Sequence, residues 1–316
     1  MAEGGTVAIL GAGMAGGAAA QRLAQAGIAV RIFDKGRGIG GRMATRRTGT
    51  GQRFDHGAQF FRAKGDAFRA QCATWIASGV AAPWGEDGRT VGLPGMPAPV
   101  RALLDGFPVS LETTIIRIAR SEAGWMLTDA DGVASGPFAA VGLTFPAPQV
   151  VALIAASGLV LAGPERATYA PCWSLLLDLD EHPGFSEAHL AFADGPIALI
   201  VREETKPGRA AGHALVVHAA PDWSRTHLED PREAVRAALF GALEARLGRA
   251  VRPAYAAVHR WRYAMVETAL GEPCLYDPAQ RLGAAGDWCL GPRIEAAFDS
   301  GRALGERIVA DLKGAR

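Results

Sequence analysis

Three groups of residues have the types and spacing for chemistry. The first is Gly11-Ala12-Gly13-Met14-Ala15-Gly16. Gly11 permits a tight turn, Gly13 lets backbone approach a pyrophosphate without a Cβ in the way, and Gly16 lets a helix sit close to a strand. The helix start behind Met14 and Ala15 offers free N–H groups and the positive end of its dipole to phosphate. Asp34 stands 23 positions after Gly11, where a carboxylate can accept hydrogen bonds from ribose hydroxyls. The second group runs from Lys35 to Arg47 and contains Gly36, Arg37, Gly38, Gly40, Gly41, Arg42 and Met43. Its N–H groups can form an anion-binding nest, with Arg37 or Arg42 adding charge. A solvated basic loop is the alternative, and an RNA-binding patch lacks aromatic interleaving. The third is His259-Arg260-Trp261-Arg262-Tyr263. Period two puts His259, Trp261 and Tyr263 on one strand face, as a cavity wall or an aromatic ladder, and Arg260 and Arg262 on the other.

The elements that must position these groups follow from periodicity. Thr6–Leu10 and Ile28–Phe33 read as strands around an Ala-rich helix from Gly17 to Ala26. Strand, glycine turn, helix, strand and acid make a dinucleotide-binding βαβ unit; the alternative is a tight turn without ligand. Asp66 to Ser78 reads as a helix capped by Asp66, with Phe68, Cys72, Trp75 and Ile76 on its core face. The Pro- and Gly-rich stretch 81–99, with Trp84, reads as irregular, and 99–104 as a short helix. Val109–Ile118, Gly124–Thr128 and Phe138–Phe145 read as strands, with a turn at 129–132. Short strands are expected at Ser174–Leu179, Ala188–Phe192, Ile197–Arg202 and His213–His218, with a hairpin at Asp194-Gly195. Asp230 caps a helix with Pro231 in its first position, a Val235, Leu239, Leu243, Leu247 stripe, and Gly248 at its end. Arg281–Ala285 reads as a strand, and a last helix runs to about Leu312 with Ile294, Phe298, Gly301, Leu304, Ile308 and Leu312 buried.

The totals narrow the class. The chain has 316 residues, 49% hydrophobic, with formal net charge +1. There is no global basic signal for a nucleic-acid polymer and no ~20-residue apolar run for a membrane. Met1 to Gly5 lacks the basic and apolar regions of a leader. Cys72, Cys172, Cys274 and Cys289 are far apart and form no C-x-x-C, which argues against zinc or a disulfide framework. A cytoplasmic protein without metal is expected.

The glycine turn together with Gly40-Gly41-Arg42-Met43 resembles the FAD site of the flavin amine oxidase superfamily, whose members carry a second G-G-R signature after the ribose-binding acid. Asp55-His56-Gly57-Ala58-Gln59 is similar to the superfamily's D-x-G-A-[HQ] stretch, which runs beside the isoalloxazine ring. Gly95-Met96 to Leu104 and Gly142 to Gln149 resemble further segments of that family. Gly286-Asp287 through Arg293, Ile294, Glu295 and Ala297 resembles its C-terminal G-D…G-x-x-x-E-x-A motif. The resemblance implies non-covalent FAD held by Gly11, Gly13, Met14, Ala15, Gly16, Asp34, Lys35, Arg37, Gly41, Arg42, Met43, His56, Gly57, Ala58, Gln59 and Ile115, the last against the adenine. It also implies Gly286, Asp287 toward the ribityl–phosphate linker, and Arg293, Ile294, Glu295 and Ala297 at a helix end toward the pyrimidine.

Trp261-Arg262-Tyr263-Ala264 resembles the renalase-like branch. No S-G-G-C-Y segment is present, Leu290 stands where amine-oxidising members carry an aromatic, and Lys206, one of four lysines, lies in a Glu204–Gly208 surface turn. The resemblance implies an α/β protein: a Rossmann-type FAD/NAD(P)-binding fold with a mixed α+β substrate domain. The FAD domain is expected at 1–62, 106–160 and 270–316, and the substrate domain at 63–105 and 161–269. The implied activity is hydride transfer from a small substrate, such as an isomeric dihydronicotinamide dinucleotide, to flavin N5, with O2 as acceptor giving H2O2. Arg262 would meet substrate phosphates, and His259, Trp261 and Tyr263 would shape the cavity. A flavin-dependent amine oxidase and a non-catalytic flavin-binding module are the alternatives.

Overall fold

The computed structural model describes residues 5–49 and 51–314. Met1 to Gly4, read above for a leader, and the outer domain limits at 1 and 316 lie outside the described residues. The chain opens with β1 (Val7–Leu10), α1 (Met14–Gln25) and β2 (Val30–Phe33). A hairpin of β3 (Thr45–Arg47) and β4 (Arg53–Asp55) follows, then α2 (Asp66–Ala77), the pair β5 (Ala81–Pro83) and β6 (Thr90–Gly92), and α3 (Ala98–Leu104). β7 (Val109–Ser110) precedes a meander of β8 (Ile115–Ser121), β9 (Gly124–Asp129) and β10 (Ala134–Phe138), then β11 (Ala140–Leu143) and α4 (Ala147–Ala156). The second unit holds β12 (Thr168–Leu179), β13 (His189–Ala191), β14 (Ile197–Arg202), β15 (Ala214–Ala219), α5 (Pro221–Thr226), α6 (Arg232–Leu247) and β16 (Pro253–Thr268). β17 (Leu275–Asp277), β18 (Leu282–Ala284), α7 (Asp287–Leu290) and α8 (Ile294–Gly314) complete the first unit.

β1 lies inside a six-stranded sheet of order β17-β18-β11-β1-β2-β7, parallel except at β17. All four residues of β1 are buried, as an apolar run covered on both faces must be. Val7 and Ile9 pack toward α1 and α8, while Ala8 and Leu10 pack toward α4 and the meander. Crossovers leave β1 in opposite directions, so Gly11, just past its carboxyl end, sits at the switch point where such sheets bind ligands. The second sheet, β13-β14-β15-β12-β16, is antiparallel. α6 covers one face through Val235, Leu239 and Leu243. The other face meets Phe54 of β4 through Leu176, Ala214 and Val216. The architecture is thus α/β: a Rossmann-type sheet joined to a mixed α+β unit.

Several boundaries differ from expectation for identifiable reasons. The run 109–118 divides because β7 joins the large sheet while β8 joins the meander, with Glu112 at φ 53 between them. The run 138–145 divides likewise, β10 pairing with β9 and β11 with β1. Gly65, not Asp66, is the N-cap of α2, with extended backbone, and Glu295 Oε1 accepts the Lys64 N–H at 3.1 Å and also the Gly65 N–H. α6 begins one residue late at Arg232, and the Asp230 carboxylate is held by His227 Nδ1 at 2.7 Å. The segment 63–105, grouped above with the substrate domain, packs α2 on α8 and α3 on α1, inside the first unit's core. Among the described residues no helix is long and apolar enough to cross a membrane.

α1 and α8 pack backbone to backbone. A Cβ at Gly301 would lie 2.1 Å from the Ala15 carbonyl oxygen, a contact only glycine allows. Gly301→Val is therefore expected to cost about 3 kcal/mol or more in urea unfolding. Gly241→Ala in α6, where nothing lies within 4 Å of an added Cβ, should stabilise by about 0.5–1 kcal/mol.

Candidate functional site

The site begins at the β1–α1 turn. Gly11 has φ +119, and a Cβ on Gly16 would fall 1.9 Å from the Gly11 carbonyl, so both positions require glycine. Gly13 is different: nothing lies within 4 Å of its missing Cβ, leaving open space at the N-terminus of α1. Met14 and Ala15 form the buried first turn. Asp34 accepts the Ala12 and Gly36 N–H groups, each at 2.6 Å, which fixes its carboxylate beside the turn. The second glycine pair arrives here as well. The Gly40 N–H donates to the Ala12 carbonyl at 2.9 Å, and a Cβ on Gly41 (φ +55) would sit 3.8 Å from Gly13 Cα.

Arg42 then reaches across to the start of α7. Its Nη1 and Nη2 bind Asp287 Oδ2 and Oδ1 at 2.8 and 2.6 Å. Burial opposes the guanidinium charge, but Asp287 outweighs it and raises the Arg42 pKa. The Gly286 N–H donates to Ser300 Oγ at 3.0 Å, pinning the same turn onto α8.

An aromatic wall forms where the chain after β4 meets the second sheet. A Cβ on Gly57 would lie 2.0 Å from the Arg42 carbonyl and 3.3 Å from the Trp261 ring. The Ala58 N–H donates to the same carbonyl at 2.9 Å. The His56 ring stacks on Trp261 at 5.3 Å with 21° between planes and meets His259 edge-on at 4.6 Å. The His56 carbonyl accepts Trp261 Nε1 at 2.7 Å and Ser174 Oγ at 2.8 Å. Ser174 pairs across strands with both His218 and His259, so these side chains share one sheet face. All three histidines are held neutral: burial lowers His56 and His218 to about 4 and His259 to about 3. The Lys206 charge adds to the effect at His218, and His56, Arg46 and Arg232 add to it at His259.

Behind this wall lies a buried ionic cluster that overturns the expected Lys206 surface turn. The Lys206 side chain is fully buried, because the short 3-10 turn Glu203–Thr205 folds it inward. Its Nζ donates to Asp55 Oδ2 at 3.0 Å, Gln59 Oε1 at 2.9 Å and Glu203 Oε1 at 2.8 Å. Arg209 adds a second cation, binding Asp55 and the Pro94 carbonyl. Burial penalises ionised Asp55, yet Lys206 and Arg209 outweigh it and hold that carboxyl below its usual range. Burial dominates at Glu203 and pushes it up to about 7 despite Lys206.

The other expected site residues have different surroundings. Arg262 binds Glu229 at 2.6 Å on the far face of β16, away from Trp261, as the strand's alternation requires. Tyr263 meets Tyr169 at 5.7 Å because the β12–β16 register shifts between Trp261 and Met265. Lys35 donates to Gln149 at 3.1 Å and Arg37 is exposed. Met43 is buried in the core, and Ile115 packs half-buried on the meander side. Ile294 and Ala297 are half-buried in the first turns of α8 and Arg293 just before it is exposed, while Glu295 serves as the α2 strut described above.

Sequence reasoning placed Lys206 at the surface and passed over Glu203, Arg209 and His218 as site residues. The available signal was a lysine in a chain holding only four, three residues after a glutamate and behind an apolar strand. His218 follows the apolar run Leu215–Val217 with no motif to mark it.

A family model for an NAD(P)-binding Rossmann-like domain matches residues 9–73. Similar solved structures include a putative protoporphyrinogen oxidase from Exiguobacterium sp. 255-15, at 14% identity and TM-score 0.75, covering 96% of this chain and 98% of that one. Cyclohexylamine oxidase from Brevibacterium oxydans IH-35A matches at 13% identity and TM-score 0.72, covering 98% and 100%. A CLA-producing fatty acid isomerase from P. acnes matches at 12% and 0.70, covering 97% and 99%. At these identities the likeness is one of fold.

The neutral histidines have a thermodynamic consequence. His56 in the unfolded chain takes up a proton below about 6.5, whereas in the fold it stays neutral to about 4. Its contribution to stability is therefore complete above pH 6.5 and lost as pH falls toward 4, by up to about 1.4 kcal/mol per pH unit. Urea unfolding of His56→Gln at pH 7, 6 and 5 should give a shallower acid-side loss than wild type.

Proposed function

We propose that the chain is an FAD-dependent oxidoreductase of the flavin amine oxidase superfamily, in its renalase-like branch. In this reading FAD is bound non-covalently, the substrate is an isomeric dihydronicotinamide dinucleotide, and O2 is the acceptor, giving H2O2. The observation that carries the cofactor reading is the doubled glycine cradle. The open space at Gly13 faces Gly41, and the loop carrying Gly41 is tied by Arg42 to Asp287 before α8. A single nucleotide turn does not need that second loop or that tie. When bound, FAD supplies the hydride acceptor, and the protein's task is to bind and orient. Gly11, Gly13, Gly16 and the α1 N-terminus would hold the pyrophosphate, Asp34 the ribose, and Asp287 with Arg42 the linker region. Gly57 and Ala58 would let the chain pass close to a flat ring. Non-covalent binding is supported by the thiols: burial pushes Cys72, Cys172 and Cys289 up to about 12 and Cys274 to about 11, so none is a ready thiolate.

Above that ring the chain's own residues would position a substrate rather than exchange protons with it. His56, Trp261 and His259 form an uncharged aromatic wall. Arg46 pairs across the hairpin with Phe54, two residues before His56, and has no carboxylate partner among the described residues. Its charge reaches both His56 and His259. Such a cation favours a phosphate-bearing substrate and disfavours a protonated amine, and it takes the part first given to Arg262.

The purified protein is expected to be yellow and to release FAD on acid precipitation. Anaerobic bleaching by borohydride-treated NAD(P)+, with H2O2 formed on readmitting air, is the expected result. Bleaching by amines alone would select amine oxidation, and bleaching by no donor would select an inert flavin-binding module. Arg46→Glu should weaken the apparent affinity for the dihydronucleotide about tenfold, the equivalent of one charge contact, with little change in the limiting reduction rate.

A further inference from the structure

The hydrogen-bond chain from Lys206 to His218 has only one consistent assignment of donors. An ammonium has three N–H donors and no acceptor. Lys206 uses all three, on Asp55, Gln59 and Glu203. Gln59 must therefore turn its amide oxygen to Lys206 and its nitrogen away. On that other side Gln59 Nε2 faces the Gly57 carbonyl at 3.1 Å, the Asp55 carbonyl, and His218 Nε2 at 3.2 Å. An amide NH2 only donates; its two hydrogens are divided among three acceptors, and it offers nothing that a His218 Nε2–H could donate to, so Nε2 is the unprotonated nitrogen. A neutral imidazole has one N–H, and with Nε2 bare that proton stands on Nδ1.

We propose that Lys206 is a positioning residue that acts through Gln59 to lock His218 in the Nδ1–H tautomer. Trp261 and Ser174 then donate to the His56 carbonyl while His218 faces the Gln59 amide, and the stretch 56–59 is clamped from the second sheet. Asp55 and Glu203 hold the ammonium in place, and Arg209 balances their charge. The consequence for this ring is specific. His218 Nε2 faces the Gln59 NH2 and carries no proton, so this ring cannot donate there. That consequence and the tautomer are properties of the chain itself and do not rest on the flavin reading above.

The test is long-range 1H–15N correlation spectroscopy on histidine-labelled protein as purified, near neutral pH. The His218 resonances are identified by their loss in His218→Gln. In wild type the expected pattern is a pyrrole-like Nδ1 and a pyridine-like Nε2, with at least about a tenfold preference over the other tautomer, as one lost hydrogen bond is worth roughly that factor. Lys206→Met frees the Gln59 amide to flip, and Gln59→Leu removes the donor altogether. In either folded variant the preference should fall to about twofold or less, or reverse. A pyridine-like Nδ1 in wild type overturns the proposal outright, whether or not a variant folds. An unchanged His218 pattern in a folded Gln59→Leu overturns the role of the relay. A colourless protein with the expected tautomer would count against the flavin reading and leave the relay standing.

Discussion

One ion pair closes the Rossmann-type half of this protein. Arg42 and Asp287 are 245 positions apart, and their two parallel hydrogen bonds join the loop behind β2 to the turn before α8. A fork-to-fork pair sets direction as well as distance, and lysine could not replace it on those terms. Its net contribution to stability is modest, because burying both charges costs nearly what the pairing returns. What it supplies is geometry. Ala58 and Gly57 are set against the Arg42 carbonyl, Trp261 and His56 are set against Gly57, and the second sheet is placed over the first through those contacts. If the fork is displaced, the glycine cradle and the aromatic wall lose their common reference.

The two charge environments of the site are complementary. Three histidines are neutral because burial keeps water from them and cations stand near. Immediately behind, two carboxylates and two cations share one dry compartment. Isolated charges at that depth would be prohibitive, and mutual compensation is what makes the compartment tolerable. Gln59 is the interface between them, with its oxygen on the ionic side and its nitrogen on the neutral side.

The first unit was largely legible in the sequence because its signals are local. Gly11 to Gly16 and Asp34 sit within one βαβ unit, where turn geometry and strand period dictate residue type, and the structure places the βαβ unit there. The strand before Asp287 was legible too, and β18 pairs with β11 in the large sheet. Strand ends at 109–118 and 138–145 were not, because a continuous apolar run does not reveal that the chain changes sheets within it. The buried cluster was illegible for a deeper reason. Lys206 looks like a turn residue among Glu204, Thr205 and Pro207, and only contacts with Asp55 and Gln59, some 150 positions away, bury it. Alternation correctly sent Arg262 away from Trp261, and the cation that stands near the histidines, Arg46, comes from a hairpin whose pairing no short-range pattern announces.

The central sheet also sets the order in which the molecule can assemble. β1 pairs with β11, Val7 lying beside Ala140, and β11 pairs in turn with β18, Val141 lying beside Leu282. A chain emerging from the ribosome therefore exposes an apolar, unpaired β1 edge until more than a hundred further residues have been made. The α8 surface that covers Val7 and Ile9 arrives later still. Such long-range pairing slows folding and prolongs the lifetime of a sticky intermediate. Cells making this protein must protect its oldest strand until its youngest helix exists.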